Sequence, residues 1–433
     1  MHKKENAISA RNWIVIWLVG LAGQLCWNVE NQWFNTFVYA KIGPDASIIA
    51  WMTGVSAAMT TISTFLFGTW SDRIGRRRPF ISIGYILWGI FTILFGATEF
   101  LPASPVILAA VMVVAMDALM SFFGSMGNDS GFNSWTTDIT NEHNRGQLGA
   151  AVAAQPVLAT IVGTVGGGMV IEHFGYFAFF IFMGVFVLLV GVFGTLMMRE
   201  GAGLKPLRDE KGFWHQLFAL FNFKTFVRNK ELFCVFFVMT AYFICFNFFF
   251  VHIGNYFIYT LGFSEGDAGV IQGVGLILAV LATIPAARFI NRGRHALMIL
   301  AAVISSVIGL TVVGFSGSAL VPVVIGIILV GVGYVLMLQT TTAWVKNLYP
   351  EGQRGQFEGI RLIFFVLIPM VIGPAVASMI IKRWGVPVTI DGAAGMAPSS
   401  ALFFWAAGMS VLTLIPLYFA RRERRRSAAA GGN

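Results

Sequence analysis

Charge is scarce in this chain. Asp, Glu, Lys and Arg make up 11% of the 433 residues, against 57% hydrophobic residues, and the mean hydropathy is +0.76. A water-soluble domain carries about 25% charged residues, so a soluble globular protein is excluded. Cysteine is rarer still. Cys26, Cys234 and Cys245 lie within or at the ends of apolar stretches without metal-ligand spacing. They imply neither a disulfide framework nor a metal site, and read as small apolar residues. The absence of a G-x-x-x-x-G-K-[ST] loop argues against an ATP-driven pump. No His/Asp cluster or metal-ligand set suggests a membrane-embedded enzyme. No cofactor is implied, and no polar stretch is long enough to fold as a separate domain.

What the chain has in abundance is long apolar runs. Twelve are each long enough to cross a hydrocarbon core of ~30 Å: 13–40, 47–70, 79–99, 105–132, 147–171, 174–198, 231–260, 267–290, 295–315, 319–345, 356–381 and 399–420. The first is too long for a signal peptide and has no evident cleavage site, so it reads as a retained helix. The expectation is an all-α integral membrane protein of the cell (inner or plasma) membrane. The net charge of +9 would suggest nucleic acid in a soluble domain; here it has another cause. With the N-terminus cytoplasmic, all of the 29 Lys and Arg except Lys41, Lys382 and Arg383 fall on the cytoplasmic side. This positive-inside pattern puts both termini inside, with Arg421–Arg426 resting on anionic headgroups. The longest interruption, Arg199–Lys230, divides the chain into 1–198, a linker 199–230, and 231–433. Phe213–Phe226 reads as a short amphipathic surface helix, and Ser427–Asn433 as a disordered end.

Two stretches repeat. Trp135–Gln147 reads WTTDITNEHNRGQ and Trp344–Gln356 reads WVKNLYPEGQRGQ. In one register without a gap, Trp135, Glu142, Arg145, Gly146 and Gln147 fall on Trp344, Glu351, Arg354, Gly355 and Gln356. A charged loop repeated once per half indicates two parallel copies of a six-helix bundle, an architecture in which a solute site lies between the copies. That points to transport.

After the second apolar run comes GTWSDRIGRRRP, containing Gly68, Asp72, Arg73, Gly75, Arg76, Arg77 and Arg78. This resembles the loop between helices two and three of the major facilitator superfamily, and the resemblance covers Asn12 to Ala420. It implies a conformational latch built from Gly68, Asp72, Arg73, Gly75, Arg76 and Arg77, with Arg145 and Arg354 in the repeated loops. Gly68 would allow close helix packing. Asp72 would face a helix N-terminus, which the resemblance suggests is that of helix eleven, or pair with an Arg. The second half keeps only ARFINRGRH (Ala287–His295), with no acid matching Asp72, so the latch should be asymmetric. Within the superfamily, GRRRPF and the polar helix-one stretch WNVENQWFNTFVY are most similar to the glycoside–pentoside–hexuronide cation symporters and sucrose carriers. The chain departs from that pattern in two places. Its Asp-Arg to Gly-Arg-Arg loop is shorter than in many of those carriers. Its second apolar run also has only hydroxyls (Thr53, Ser56, Thr60, Thr61, Ser63, Thr64) where sodium-coupled members carry aspartates. That favours protons over sodium.

Ionisable residues at membrane depth default to functional candidates. On helix four, Asp117, Ser121, Ser125 and Asn128 share one face. Asp117 reads either as a proton site or as a packing carboxylate. On helix one, Gln24, Asn28, Asn31 and Asn35 form a second stripe; amides suit hydroxyl-rich solutes and serve equally as interhelical glue. The resemblance implies that helices one, four, seven and ten line a central cavity. Glu30 lies off the stripe and should face a neighbouring helix; it is a second proton-coupling candidate. His252 is a third, read either as a relay or as a structural residue. Asn255 and Tyr256 share its face, and Tyr334 comes from helix ten. Trp27, Trp33 and Tyr256 could offer flat faces to a sugar ring, whereas Trp344 reads as an interfacial anchor. Glu358 and Arg361 should pair locally, and Gly163, Gly166, Gly167 and Gly168 should form a close-packing surface. The leading expectation is proton-coupled symport of a small polar solute, a sugar or glycoside, by alternating access. The alternative is a proton-coupled exporter of amphipathic compounds. It is weakened because helix five has Gln155-Pro156 in place of the exporters' Gly-Pro, and Gly373-Pro374 lies in the other half.

Overall fold

The computed structural model describes residues 8–102, 106–140, 144–201, 204, 206, 212–214, 229–349 and 354–430. Most of the expected surface helix, residues 215–226, lies outside the described residues. Among the described residues, eleven helical spans are long and apolar enough to cross a membrane: Ala10–Ile42 (α1), Ala46–Ile74 (α2), Arg78–Phe100 (α3), Val106–Asp138 (α4), Gln147–Met197, Lys230–Thr260 (α7), Glu265–Thr283 (α8), His295–Phe315 (α9), Leu320–Leu348 (α10), Gly359–Trp384 (α11) and Ser400–Arg426 (α12). Gln147–Met197 is two helices. Gly175 has φ +80° and ψ 171°, which breaks the helix, so α5 ends at 174 and α6 runs over 176–197. The twelve expected helices are thus present.

Local chemistry sets several ends. Ser9 and Ser264 accept from the backbone N–H of Asn12 and Asp267 at 3.2 and 3.1 Å, capping α1 and α8. Gly75 closes α2 at φ +67°, with its N–H and that of Arg76 returning to the Ser71 carbonyl. Only glycine adopts this left-handed cap without steric cost. Gly75→Ala should therefore lose about 1–2 kcal/mol, measured as a lower midpoint in thermal unfolding of the detergent-solubilised protein. An unchanged midpoint would show that the turn relaxes.

One strand pair breaks the all-helical pattern. Val386–Ile390 pairs antiparallel with Ala393–Ala397, Val386 opposite Ala397 and Ile390 opposite Ala393. The two-residue connection is Asp391-Gly392, both at positive φ, the preference of a type I′ hairpin.

The chain divides into two compact units. The first holds Met1–Gly43 and Val55–Ala219, and the second holds Pro44–Gly54 and Leu220–Asn433. In the first, an aromatic core joins α1, α3 and α6: Phe34 stacks on Phe95 at 4.0 Å and meets the Phe180 edge at 5.1 Å. Beside it α3 and α6 approach through paired glycines; a Cβ added at Gly184 would lie 2.6 Å from the Gly89 carbonyl oxygen. In the second unit α9 and α10 pack the same way through Gly309 and Gly326. Small residues let helix backbones approach where lipid supplies no hydrophobic drive. Also in the second unit, the hairpin donates Met396 N–H to the Pro44 carbonyl at 3.1 Å, and Lys382 lies 3.6 Å from Asp45.

Candidate functional site

The largest concentration of buried polar groups in the first unit lies where α1, α2 and α4 meet. On α2, Ser56, Thr60 and Thr64 recur every fourth residue, and on α4 so do Asp117, Ser121 and Ser125, so each set forms one stripe. The stripes face each other. Ser125 Oγ donates to the Thr60 carbonyl at 3.0 Å and lies 2.6 Å from the Thr64 hydroxyl. One step further along, Ser56 and Ser121 lie 2.7 Å apart. Glu30 reaches this point from α1: its Oε1 is 2.7 Å from Ser56 Oγ and 2.9 Å from Ser121 Oγ. Asp117, one turn before Ser121 on the same α4 stripe, lies within electrostatic reach of Glu30.

All four side chains are buried, Asp117 being 1% exposed. Two carboxylate oxygens, Glu30 Oε2 and Asp117 Oδ1, have no hydrogen-bond partner. No Lys or Arg pairs with either acid among the described residues. The Glu30–Ser56–Ser121 triangle has three short O···O contacts. Filling all three requires three hydrogens, and two hydroxyls supply only two. A proton on Glu30 Oε1 would supply the third. Sequence reasoning placed Glu30 against a neighbouring helix, and the structure brings it to Asp117. It missed Ser56 and its stripe, counting those hydroxyls only for the absence of aspartate; their spacing of four was the available signal.

The other candidates of the first unit mostly hold helices together. Asn28 donates to Thr160 at 3.3 Å and accepts from Thr164 at 3.0 Å; Thr164 also reaches Gln32 at 2.8 Å. Asn31 and Asn35 donate to the carbonyls of Trp27 and Asn31, one turn back along α1. Asn128 accepts from Tyr85 and donates to Asp129. Gln24 alone of the helix-one stripe is half-buried with no hydrogen bond among the described residues. Trp33 presents no face to a solute. It is fully buried and donates to the Gly163 carbonyl at 2.8 Å, because Gly163 and Gly167 let α1 lie close to α5. A Cβ at Gly166 would meet nothing, so of the expected glycine surface Gly166 is not a close-packing contact.

In the second unit, α7 is interrupted at Val251–His252. His252 is fully buried and neither ring nitrogen has a hydrogen-bond partner. Asn255 is buried beside the same break. Tyr256 packs on Phe403 at 4.6 Å, and Tyr334 stacks on Phe246 at 4.6 Å.

The loop after α2 forms a charged knot around Arg77, which is 6% exposed. Its guanidinium donates to Ser71 at 2.6 Å, Asp138 at 3.0 Å and Asp72 at 2.5 Å. Burial alone would lower the Arg77 pKa, but Asp138 and Asp72 reverse this and raise it. Glu200 accepts from the backbone N–H of Arg77 and Arg78 at 2.9 and 3.0 Å, placing an anion at the N-terminus of α3. Arg73 is half-buried, while Arg76 points to solvent. Gly68 needs correction: a Cβ there would meet nothing within 4 Å, so it is not a close-packing contact. The side chains of Arg145, Arg354 and Glu358 lie outside the described residues; Arg361 lies over the Phe365 ring. In the second unit, Arg294 lies over the Phe289 ring, with no ion pair to it among the described residues.

The repeated tryptophans have one role each. Trp135 donates to the Arg199 carbonyl at 2.7 Å, and Trp344 to Glu231 Oε1 at 2.9 Å. Trp344 is 2% exposed and stacks on His295 at 5.3 Å; it is not an interfacial anchor, because its indole is buried beneath His295 and the Arg424 guanidinium.

Comparison with known proteins agrees with this architecture. The sequence profile described as Major Facilitator Superfamily matches residues 16–281 and 253–433. A human protein named MFS-type transporter SLC18B1 is 26% identical over 172 residues, 40% of this chain and 36% of the human protein. The chain therefore matches little more than a third of that relative's length. Among solved structures, the nucleoside transporter NupG has a TM-score of 0.70 at 12% identity, covering 94% of this chain and 98% of its own. A D-xylose-proton symporter has a TM-score of 0.69 at 16% identity, covering 94% and 97%. At such identities these likenesses establish the fold alone. With the profile covering nearly the whole length, the chain is a multi-pass membrane protein of a transporter rather than an enzyme fold, and it belongs to the Major Facilitator Superfamily.

Proposed function

We propose that this chain carries a small polar solute, a sugar or glycoside, together with a proton by alternating access. Glu30 and Asp117 form the proton site. The observation that carries this reading is the hydrogen deficit around Glu30: three short O···O contacts and two hydroxyl protons, beside a second buried acid with an unpartnered oxygen. Two anions this close and this dry repel each other strongly, so one shared proton stabilises the group. Releasing it must accompany a rearrangement that readmits water or a countercharge, which links protonation to conformation. Among the described residues neither acid has an ion pair, which supports a proton over a structural role. Gln24, with a free amide, is the candidate solute contact on α1. Two solved proteins of the same fold are named for D-xylose and nucleoside transport, both hydroxyl-bearing solutes; this supports the solute class and no particular member. The knot of Arg77 with Asp72 and Asp138 serves as the latch that biases the cycle.

The test is external pH in a lightly buffered suspension of cells overproducing the protein, pulsed with mono- and disaccharides. Alkalinisation with one sugar is the expected result. Acidification by a solute would make the chain an antiporter. No response to any sugar, with sodium flux also absent, would overturn the sugar assignment.

A further inference from the structure

A groove of about 730 Å³ opens between α9 and α12 at their basic ends. Its volume falls within the range of roughly 300–1,000 Å³ typical of small-molecule sites. The wall is apolar: Leu297 and Leu300 from α9 face Leu417 from α12. The rim is cationic. Arg421, Arg422 and Arg425 line it one turn beyond Leu417, at i, i+1 and i+4, so all three project from one side of α12.

These three arginines are uncommitted. The neighbouring carboxylate, Glu423, pairs with Arg426 at 2.8 Å. Arg424 turns inward, 3.0 Å from His295 Nδ1 and over the Trp344 ring. Arg421, Arg422 and Arg425 have no ion pair among the described residues and are exposed. α12 thus passes without interruption from an apolar wall to three free guanidinium groups. Tyr418, 64% exposed, stands at the border, where amphipathic aromatics belong.

We infer that this groove binds one anionic phospholipid of the leaflet bordering the basic end, its phosphate on Arg421, Arg422 and Arg425 and an acyl chain along Leu297, Leu300 and Leu417. Guanidinium forks match phosphate oxygens bidentately. A free phosphate would leave the leucine wall uncovered, and a zwitterionic lipid would leave the three cations uncompensated. The inference stands independently of the solute and coupling assignment.

Native mass spectrometry of the full chain in detergent, titrated with phosphatidylglycerol or phosphatidylcholine, tests this. The expected result is a 1:1 phosphatidylglycerol adduct without a matching phosphatidylcholine one. The variant R421Q/R422Q/R425Q should weaken it about a hundredfold, from roughly fivefold per arginine near a lipid surface. Leu297→Trp narrows the wall while keeping every arginine, and should weaken the same adduct. Both changes fall on exposed side chains, and thermal unfolding without added lipid confirms that each variant folds. Equal adducts with both lipids, or an adduct indifferent to the triple variant, would overturn the inference. So would competition by glycerol 3-phosphate at lipid-like concentrations, which would make the site one for soluble phosphates.

Discussion

Asp117→Asn and Glu30→Gln should each abolish uphill accumulation of solute while leaving solute exchange running. An amide mimics the protonated carboxyl in size and cannot release its hydrogen. A carrier held in the protonated form can still bind solute and change conformation loaded, which is all that exchange requires. Net accumulation needs the empty carrier to return after losing its proton, and that step is closed. The internal concentration should settle at the external value, with exchange within roughly tenfold of the unsubstituted rate. If Asp117 served only packing, accumulation would survive the substitution. If it bound solute directly, exchange would fall with a raised half-saturation concentration. Ser121→Ala is a milder probe: Glu30 keeps Ser56 as donor, so the pair survives with weaker coupling.

Arg77→Ala should be the most destabilising single change in the loop after α2. It removes the cation shared by Ser71, Asp72 and Asp138. Breaking a buried pair costs about 3–5 kcal/mol; because Asp72 remains 42% exposed and Asp138 21% exposed, water screens part of this. The expected loss is roughly 2–4 kcal/mol. Arg77→Lys should recover only part, since one ammonium lacks the planar fork that serves three partners. Arg76→Ala, on an exposed neighbour, should stay within about 0.5 kcal/mol. Thermal unfolding of the three variants compares them directly; equal losses for the changes at 76 and 77 would show that the knot contributes nothing.

The sequence was most legible where one residue type repeats at a fixed spacing. Apolar runs marked every membrane helix, although only the glycine at 175 reveals where α5 ends and α6 begins. Asp117, Ser121 and Ser125 of the expected stripe do share one face, whereas Asn128, in the π-helical stretch that follows, meets Tyr85 of α3. What lay opposite did not read, because helix pairing is a long-range property with no local period. Seen alone, Ser56, Thr60 and Thr64 are ordinary helix hydroxyls; they acquire meaning only against α4. Trp344 misled for the same reason. A tryptophan near a helix end matches the interfacial pattern, and the enclosing His295, Arg424 and Glu231 come from far along the chain. Asp138 was within reach, since it lies in the repeated stretch three residues after Trp135. So was the hairpin, signalled by Asp391-Gly392 between extended stretches.

The measurement that tests proton coupling most directly is proton movement in proteoliposomes containing a pH-sensitive dye, driven by an inward solute gradient with the membrane potential clamped at zero. The unsubstituted protein should acidify the lumen as solute enters. The variant E30Q/D117N should exchange solute and move no protons. Lumenal acidification that persists in the double variant would contradict the account, placing the proton on other residues.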